Sequence, residues 1–458
     1  MKALLPILRC QRCQGSFQFT EAPRVPLAAA EFGVLRCSCS AYPVVDGIPI
    51  IQHGAVGMFE HTTGTAQVAG IKPAQLVELI ERGQSIEALR ECLCFPVLPA
   101  LLRRLLGWRL SNGPLGARFA RRLGKQRVDE LLRNRETISA IELFDFFYQS
   151  DSPLDAVVGH YFNLRFGQPR HLAALALLQN VPADSKPLLD IACGGGHLDH
   201  YLLARRDPVP IVGTDMNFFH LWIARHWVAP AGRYVCADAS EGLPFAADSF
   251  SATFCSDAYH YIPNRTQLHE EVERCAPGRL GILTRVGNAD VMPNEGQERT
   301  VAGYLEDIGA ADGRALAEAT LLRCYLGRRN PLLQTPDAPE ELARSKWLSF
   351  VWNLPARLRD TAGAEHDWPH AAGTLRLNPI YRRSATPEGG LQLRFDFPSI
   401  WYAYENNGMM AYHPRRLLLE PAQLEALRAE SPDASFTELV SRFVLLGMPP
   451  RFAPPLAR

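Results

Sequence analysis

Lys186-Pro187-Leu188-Leu189-Asp190-Ile191-Ala192-Cys193-Gly194-Gly195-Gly196-His197-Leu198 decides the fold. Apolar residues run into an acid, then a turn of small residues, then a helical pattern. The run predicts a buried strand, a tight loop and a helix start, the ligand corner of a doubly wound parallel sheet. The glycines let backbone approach a ligand where a Cβ would clash. A nicotinamide fingerprint fits badly, because Asp199 stands where its third glycine belongs.

The downstream spacing continues the pattern. Pro210 to Asp215 reads as a second parallel strand ending in an acid. Such an acid, roughly 20 residues past the glycine turn, can accept both hydrogen bonds of a ribose diol. A helical pattern spans Phe218 to Trp227. Tyr234 to Ala239 reads as a third strand with Asp238 at its end, and Leu243 to Phe250 as a turn into a fourth strand, Ser251 to Ser256.

Asp190, Ala192, Cys193, Gly194 and Gly196 match, position by position, motif I of the class I S-adenosylmethionine-dependent methyltransferases, roughly L-D-[IVL]-[GA]-C-G-x-G. Ala192 stands where glycine is commoner. Leu243-Pro244-Phe245 to Phe250 resembles that family's "LPF-x-x-x-SFD" turn, with Ser251 replacing the usual acid. The resemblance is to the type 11-like members. It implies an α/β Rossmann-like core that binds S-adenosyl-L-methionine and moves its methyl group. The implied cofactor residues are Asp190, Ala192, Cys193, Gly194, Gly196, Asp215, Met216, Asp238, Ala239 and Ser256, with Asp238 meeting the adenine amino group. The competing reading is an α/β domain that has lost its ligand.

At the N-terminus, Cys10-Gln11-Arg12-Cys13 and Cys37-Ser38-Cys39 flank a segment too small to bury much core. Two close cysteine pairs suggest a tetrahedral zinc site, which would supply folding energy. Cys10, Cys13, Cys37 and Cys39 are the expected ligands. C-x-C is tighter than the usual knuckle, so His53 is kept as a substitute for Cys37 or Cys39. Tyr42-Pro43-Val44-Val45-Asp46-Gly47-Ile48-Pro49 resembles the "YPVxDGIP" hairpin of the small zinc-ribbon activator subunits of tRNA methyltransferases. In that family such ribbons stabilise methyltransferases. Val44, Val45, Ile48, Ile50 and Ile51 are too many apolar residues for one small ribbon to bury. The ribbon is therefore expected to dock on its own catalytic domain.

The chain has 458 residues, 47% of them apolar, and a formal charge of zero. It has room for two or three domains and lacks a global field that would draw in nucleic acid. Of its eleven cysteines, those outside the ribbon read as reduced, buried thiols. With no apolar leader before Cys13 and no membrane-spanning run, the expected location is the cytoplasm. The organisation expected is a zinc ribbon over 1–55, a helical segment over 71–150, a methyltransferase domain over 155–290 and a C-terminal α+β extension of unassigned role over 291–458. In the extension, Arg299 to Leu326 and Pro421 to Arg428 have helical patterns, and Phe395 to Tyr404 runs like a strand.

Leu101 to Arg135 is rich in arginine. It reads either as a solvated helix face or as a grip on phosphate, and its few aromatics weaken an RNA reading. In similar enzymes the segment before motif I folds over the cofactor. Tyr161 and Asn163 are the candidates for such lid contacts. His260, in the Ser256 to Tyr261 loop, is the candidate general base. Its bland reading is a loop histidine packed on the next helix. The function expected is methyl transfer to a small molecule or a protein. The alternatives are an RNA methyltransferase that docks RNA through ribbon and basic helices, and a non-catalytic cofactor-binding scaffold.

Overall fold

A computed structural model describes residues 1–23, 31–56, 70–94, 114–148, 153–292, 298–358, 369–454 and 456. The ribbon is a four-stranded antiparallel sheet of β1 (Gln18–Glu21), β2 (Gly33–Arg36), β3 (Ala41–Val45) and β4 (Ile48–Pro49), in that order. Asp46 (φ 47°) and Gly47 (φ 75°) turn β3 into β4. This is the aspartate-glycine pairing that a two-residue hairpin with two left-handed positions demands.

The large central sheet has seven strands. β5 (Leu188–Ile191), β6 (Ile211–Asp215), β7 (Arg233–Cys236), β8 (Ala252–Ser256) and β9 (Leu280–Gly287) are mutually parallel. Their near-continuous apolar sequences suit strands covered on both faces. β10 (Arg314–Ala317) and β11 (Trp347–Trp352) complete the order β10-β11-β9-β8-β5-β6-β7. β11 runs antiparallel to both neighbours. The sheet therefore does not end near residue 290. Two of its strands come from the stretch read as an extension. Arg299 to Leu326 is likewise not one helix. It is the helix Val301–Ile308, then β10, then the helix Glu318–Leu326.

Helix Pro169–Leu178, buried along its whole length, packs on the sheet. The remaining C-terminal residues form two small sheets. β12 (Thr374–Leu377) pairs with β16 (Leu445–Met448). β13 (Tyr381–Ala385), β14 (Leu391–Phe395) and β15 (Arg416–Leu419) make an antiparallel sheet of three. The strand expected over Phe395 to Tyr404 stops at Phe395. The helix Ile400–Asn406 follows, capped by Ser399, whose Oγ accepts from the Tyr402 N–H at 3.1 Å. Pro421–Arg428 is a helix. Among the described residues, no helix is long and apolar enough to cross a membrane.

The ribbon docks on the domain of the seven-stranded sheet at two places. Ile50 bridges Cys236 at the end of β7, with the Ile51 N–H donating to the Cys236 carbonyl at 2.7 Å. Leu8 bridges Phe245, and the Ala246 N–H reaches the Ile7 carbonyl at 2.7 Å. Val44, Val45, Ile48, Ile50 and Ile51 are all fully buried. A buried polar hub locks the contact. Asp46 Oδ2 accepts from Trp222 Nε1 at 2.8 Å, lies 3.0 Å from His226 Nε2 and 3.6 Å from Arg135 Nη1. Burial alone would raise the Asp46 pKa, but His226, Arg135 and the Trp222 N–H hold it below the usual range.

Candidate functional site

The strand order reverses at β5, between β6 and β8, which opens a crevice at their C-terminal ends. The chain leaves β5 and turns through Ala192 (φ 58°), Gly194 (φ 55°) and Gly196 (φ 73°) before the helix His197–Ala204. Ala192 takes the left-handed conformation where glycine is commoner, at a cost of about 1 kcal/mol. Gly196 has no such choice, since a Cβ there would lie 2.9 Å from the Ala224 Cβ.

Asp215, at the end of β6, holds the loop. Its Oδ2 accepts from the Gly194 N–H at 3.0 Å and its Oδ1 from the Asn217 N–H at 2.8 Å. His220 Nδ1 lies 3.8 Å from Oδ1, and His220 Nε2 meets the Tyr148 hydroxyl at 2.6 Å. Burial opposes ionisation of Asp215, yet His220 and the backbone donors keep its pKa below the ordinary value. Each oxygen retains a lone pair for a further donor.

Asp190 is buried at the end of β5, and its Oδ1 has no hydrogen-bond partner. Asp199, in the first turn of the following helix, is buried with both oxygens unpartnered. Burial and the facing Asp199 charge push Asp190 well above the carboxylate range, and burial pushes Asp199 up to about 7. The two titrate as a pair that holds a proton near neutrality.

Met216, Asp238, Ala239 and Ser256 follow at the ends of β6, β7 and β8, each half-buried. Asp238 Oδ1 takes both the N–H and the hydroxyl of Ser240, at 2.8 and 2.6 Å. The Ser256 hydroxyl is 2.9 Å from Thr284 Oγ1. These residues, with Cys193, line one continuous set of strand ends. They fit a nucleoside ligand: a glycine turn closed to side chains, and acids at the ends of β6 and β7.

Aromatic side chains cover the glycine turn. Phe162 lies 3.5 Å from where a Gly194 Cβ would sit, and Phe144 stacks on Phe162 at 4.8 Å. Of the two lid candidates, Tyr161 donates to Asp257 Oδ2 at 3.1 Å, whereas Asn163 turns away to Asp145 Oδ1 at 2.6 Å.

Asp257 is the group that sequence reasoning missed. It sits just past β8 at φ 58° and gathers Arg170 Nη1 at 2.9 Å, Arg285 Nε at 3.2 Å and Arg165 Nη1 at 3.5 Å. Burial opposes its charge, but the three guanidiniums hold its carboxyl well below the usual range. Arg285 is also left-handed (φ 55°), at a bulge between β9 and β11 that re-aims its side chain. It pairs further with Glu318 at 2.8 Å and Glu405 at 2.9 Å. Two left-handed residues, one just past β8 and one on β9, thus form a rim around the Asp257 carboxylate. His260 is half-buried beside Tyr261 and Trp347, and burial lowers its pKa, so the ring is neutral at pH 7.

In the ribbon, the sulfurs of Cys10, Cys13, Cys37 and Cys39 all lie within 4.8 Å of one another. Cys39 is 3.5 Å from Cys10 and 3.6 Å from Cys37. Zinc–sulfur bonds of about 2.3 Å need such separations. The His53 ring is committed elsewhere, to Glu241 at 2.9 Å and Arg12 at 2.7 Å. The tight C-x-C pair thus brings both its thiols to the cluster.

Of the arginine-rich stretch, residues 101–113 lie outside the described residues. The helix Pro114–Arg133 places Lys125 on Glu87 at 2.5 Å and on Glu91 at 2.6 Å, and Arg121 on Glu91. Arg135 is spent on the Asp46 hub. These cations serve the fold.

Residues 189–278 match the family model described as "Methyltransferase domain". No curated protein matches the chain. Among solved structures, the chain is similar to the complex of the Trm112 methyltransferase activator of Haloferax volcanii with a methyltransferase, at 16% identity and a TM-score of 0.33. That likeness covers 48% of this chain and 100% of the other. It is similar to a TehB-like SAM-dependent methyltransferase of Corynebacterium glutamicum, at 16% identity over 41% of this chain and 88% of the other, TM-score 0.29. It is also similar to phosphoethanolamine N-methyltransferase 2 of Haemonchus contortus, at 15% identity over 47% and 60%, TM-score 0.33.

Proposed function

With a methyltransferase domain over residues 189–278 as premise, we propose that the chain transfers the methyl group of S-adenosyl-L-methionine to an acceptor that enters over the Asp257 rim. The observation that supports this best is the set of strand ends: a left-handed glycine turn tied by its Gly194 N–H to Asp215, with Asp190 and Asp238 on the neighbouring strands. Asp215 would take the ribose hydroxyls, Asp238 the adenine amine through Oδ2, and the Ala192–Gly196 backbone the amino-acid end. Met216, Ala239 and Ser256 would line the rest.

Bound there, the sulfonium supplies an electrophilic methyl and a neutral leaving thioether. The chain's own work is in-line placement and exclusion of water. Phe144 and Phe162 exclude water from the turn. Asp257, pinned by three arginines, fixes the loop that carries His260. A neutral His260 can take a proton from an acceptor that carries one at pH 7. Cys10, Cys13, Cys37 and Cys39 would hold a structural zinc, and the ribbon braces the Asp238 to Phe245 loop.

Calorimetry with S-adenosylhomocysteine tests the site. Asp215→Asn keeps the shape, loses the charge, and should weaken binding by about 1–3 kcal/mol. Unchanged affinity removes Asp215 from the site, and no binding to the wild type overturns the proposal.

A further inference from the structure

Net charge zero conceals a local excess of cations on the three-stranded sheet. Arg382 pairs in register with Arg394, and Arg394 with Arg416. All three side chains are exposed and lie on one face, because positions directly opposite in a sheet share a side. The next row on that face is Ser384, Gln392 and Leu418. The other face carries Leu393 and Leu419 into the core. Like charges directly opposite destabilise a sheet. Asp396 offsets only part of the row, at 2.8 Å from Arg382 and 3.2 Å from Arg394. No acid pairs with Arg416 among the described residues. A row of arginines kept at a cost to the sheet calls for an external anion.

We propose that this face, with the cleft beside it, binds single-stranded nucleic acid. The cleft is about 310 Å³, and Phe395, Phe397, Met410 and His413 line it together with Arg394, Arg415 and Arg416. Cations in a row across the sheet suit phosphodiesters, and flat apolar side chains beside them suit unpaired bases. The helix Ile400–Asn406 leads onward from the cleft, with Trp401 63% and Tyr404 68% exposed. Its far end carries Glu405, which contacts Arg170, Arg285 and Lys346 at the Asp257 rim. Tyr261, 61% exposed, stands on that rim. The helix Ile400–Asn406 thus joins, along the chain, the cleft at the end of β14 to the Asp257 rim. The surface selects the acceptor class for the methyl transfer proposed above, and to that extent rests on that reading; the binding itself does not. It also moves RNA ahead of a small molecule, through residues other than the basic helix that sequence alone suggested.

Fluorescence anisotropy of full-length protein with an oligouridylate of about 20 nucleotides tests it, across a salt series. The combined Arg382→Gln, Arg394→Gln, Arg416→Gln variant should bind at least about tenfold more weakly. Its log K against log salt should be shallower by about 2, at about 0.7 per lost phosphate contact. Asp396→Asn frees two arginines and should bind more tightly than wild type. S-adenosylhomocysteine affinity should be unchanged in both variants, which separates this proposal from the methyltransferase reading. Oligouridylate binding that neither variant alters overturns it. So does a triple variant whose only loss is binding to vesicles rich in phosphatidylserine.

Discussion

Removing the Asp46 carboxylate should undock the ribbon without unfolding the catalytic domain. Asp46 is 1% exposed and joins three groups of the catalytic side: Trp222 Nε1, His226 and Arg135. In Asp46→Ala, the fully buried Trp222 N–H loses its acceptor, Arg135 is left without its counter-charge, and the His226 ring loses a hydrogen-bond partner. Breaking a buried charged hub costs about 3–5 kcal/mol. That corresponds to roughly two to three and a half decades in the docking equilibrium. A chain of several units does not melt in one step, so the assay is hydrogen exchange. The Ile51 amide, held by the Cys236 carbonyl, should exchange faster by that factor, while amides of β5 and β8 keep their rates. Asp46→Asn keeps the Trp222 acceptor and tolerates the left-handed turn, so it should cost about 1–3 kcal/mol. The native Asp46 pKa lies below its unfolded value. Its contribution is therefore present above about pH 4 and lost as pH falls through the folded value. Unchanged Ile51 exchange in Asp46→Ala refutes the hub as the docking lock.

Cys13→Ser should lose about one equivalent of zinc by elemental analysis and, with it, amide protection across β1–β3; a metal-free, fully protected wild type would sink the zinc centre. Asp199 has a raised folded pKa, so the unfolded chain binds fewer protons between about pH 4 and 7, and stability should fall as pH rises through that window, by up to about 1.4 kcal/mol per unit. Asp199→Asn should flatten the profile and melt higher than wild type at pH 8; parallel melting curves for the two proteins at pH 5 and 8 count against a shared proton. Ala192→Gly relieves a left-handed alanine and should hold or slightly raise the melting temperature, while Ala192→Val should lower it by more than about 1 kcal/mol's worth. Equal melting of the two variants would mean that the turn is unstrained.

The parts of the molecule legible in sequence are those whose geometry is local. Asp190, Asp215 and Asp238 announce themselves because each ends an apolar run a fixed distance from the last. The ribbon's docking face is legible as an excess of apolar residues with nothing nearby to cover them. The Asp257 rim is not legible. Arg165 and Arg170, Arg285, and Glu405 reach it from three places along the chain, and only the loop from Ser256 to Tyr261 hinted at a site. β10 hides because its four residues sit in an alanine- and leucine-rich run that also fits a helix. The helix at Ile400 had a cue, Pro398-Ser399, that the apolar alternation around it masked. The arginine row depends on cross-strand register, which no linear pattern carries.

The ribbon's attachment has a consequence for how the molecule behaves on dilution. Two units on separate chains come apart as concentration falls, and any imbalance in synthesis leaves one without the other. Here both pieces lie on one polypeptide, so association is first-order and the stoichiometry is fixed at synthesis. Tethering of this kind sets an effective local concentration on the order of millimolar. Even a weakened interface stays largely closed. Loss of Asp46 would therefore show itself in exchange and protease susceptibility well before it altered turnover. The ribbon is also made first, so it can fold before the β7 edge it covers has left the ribosome.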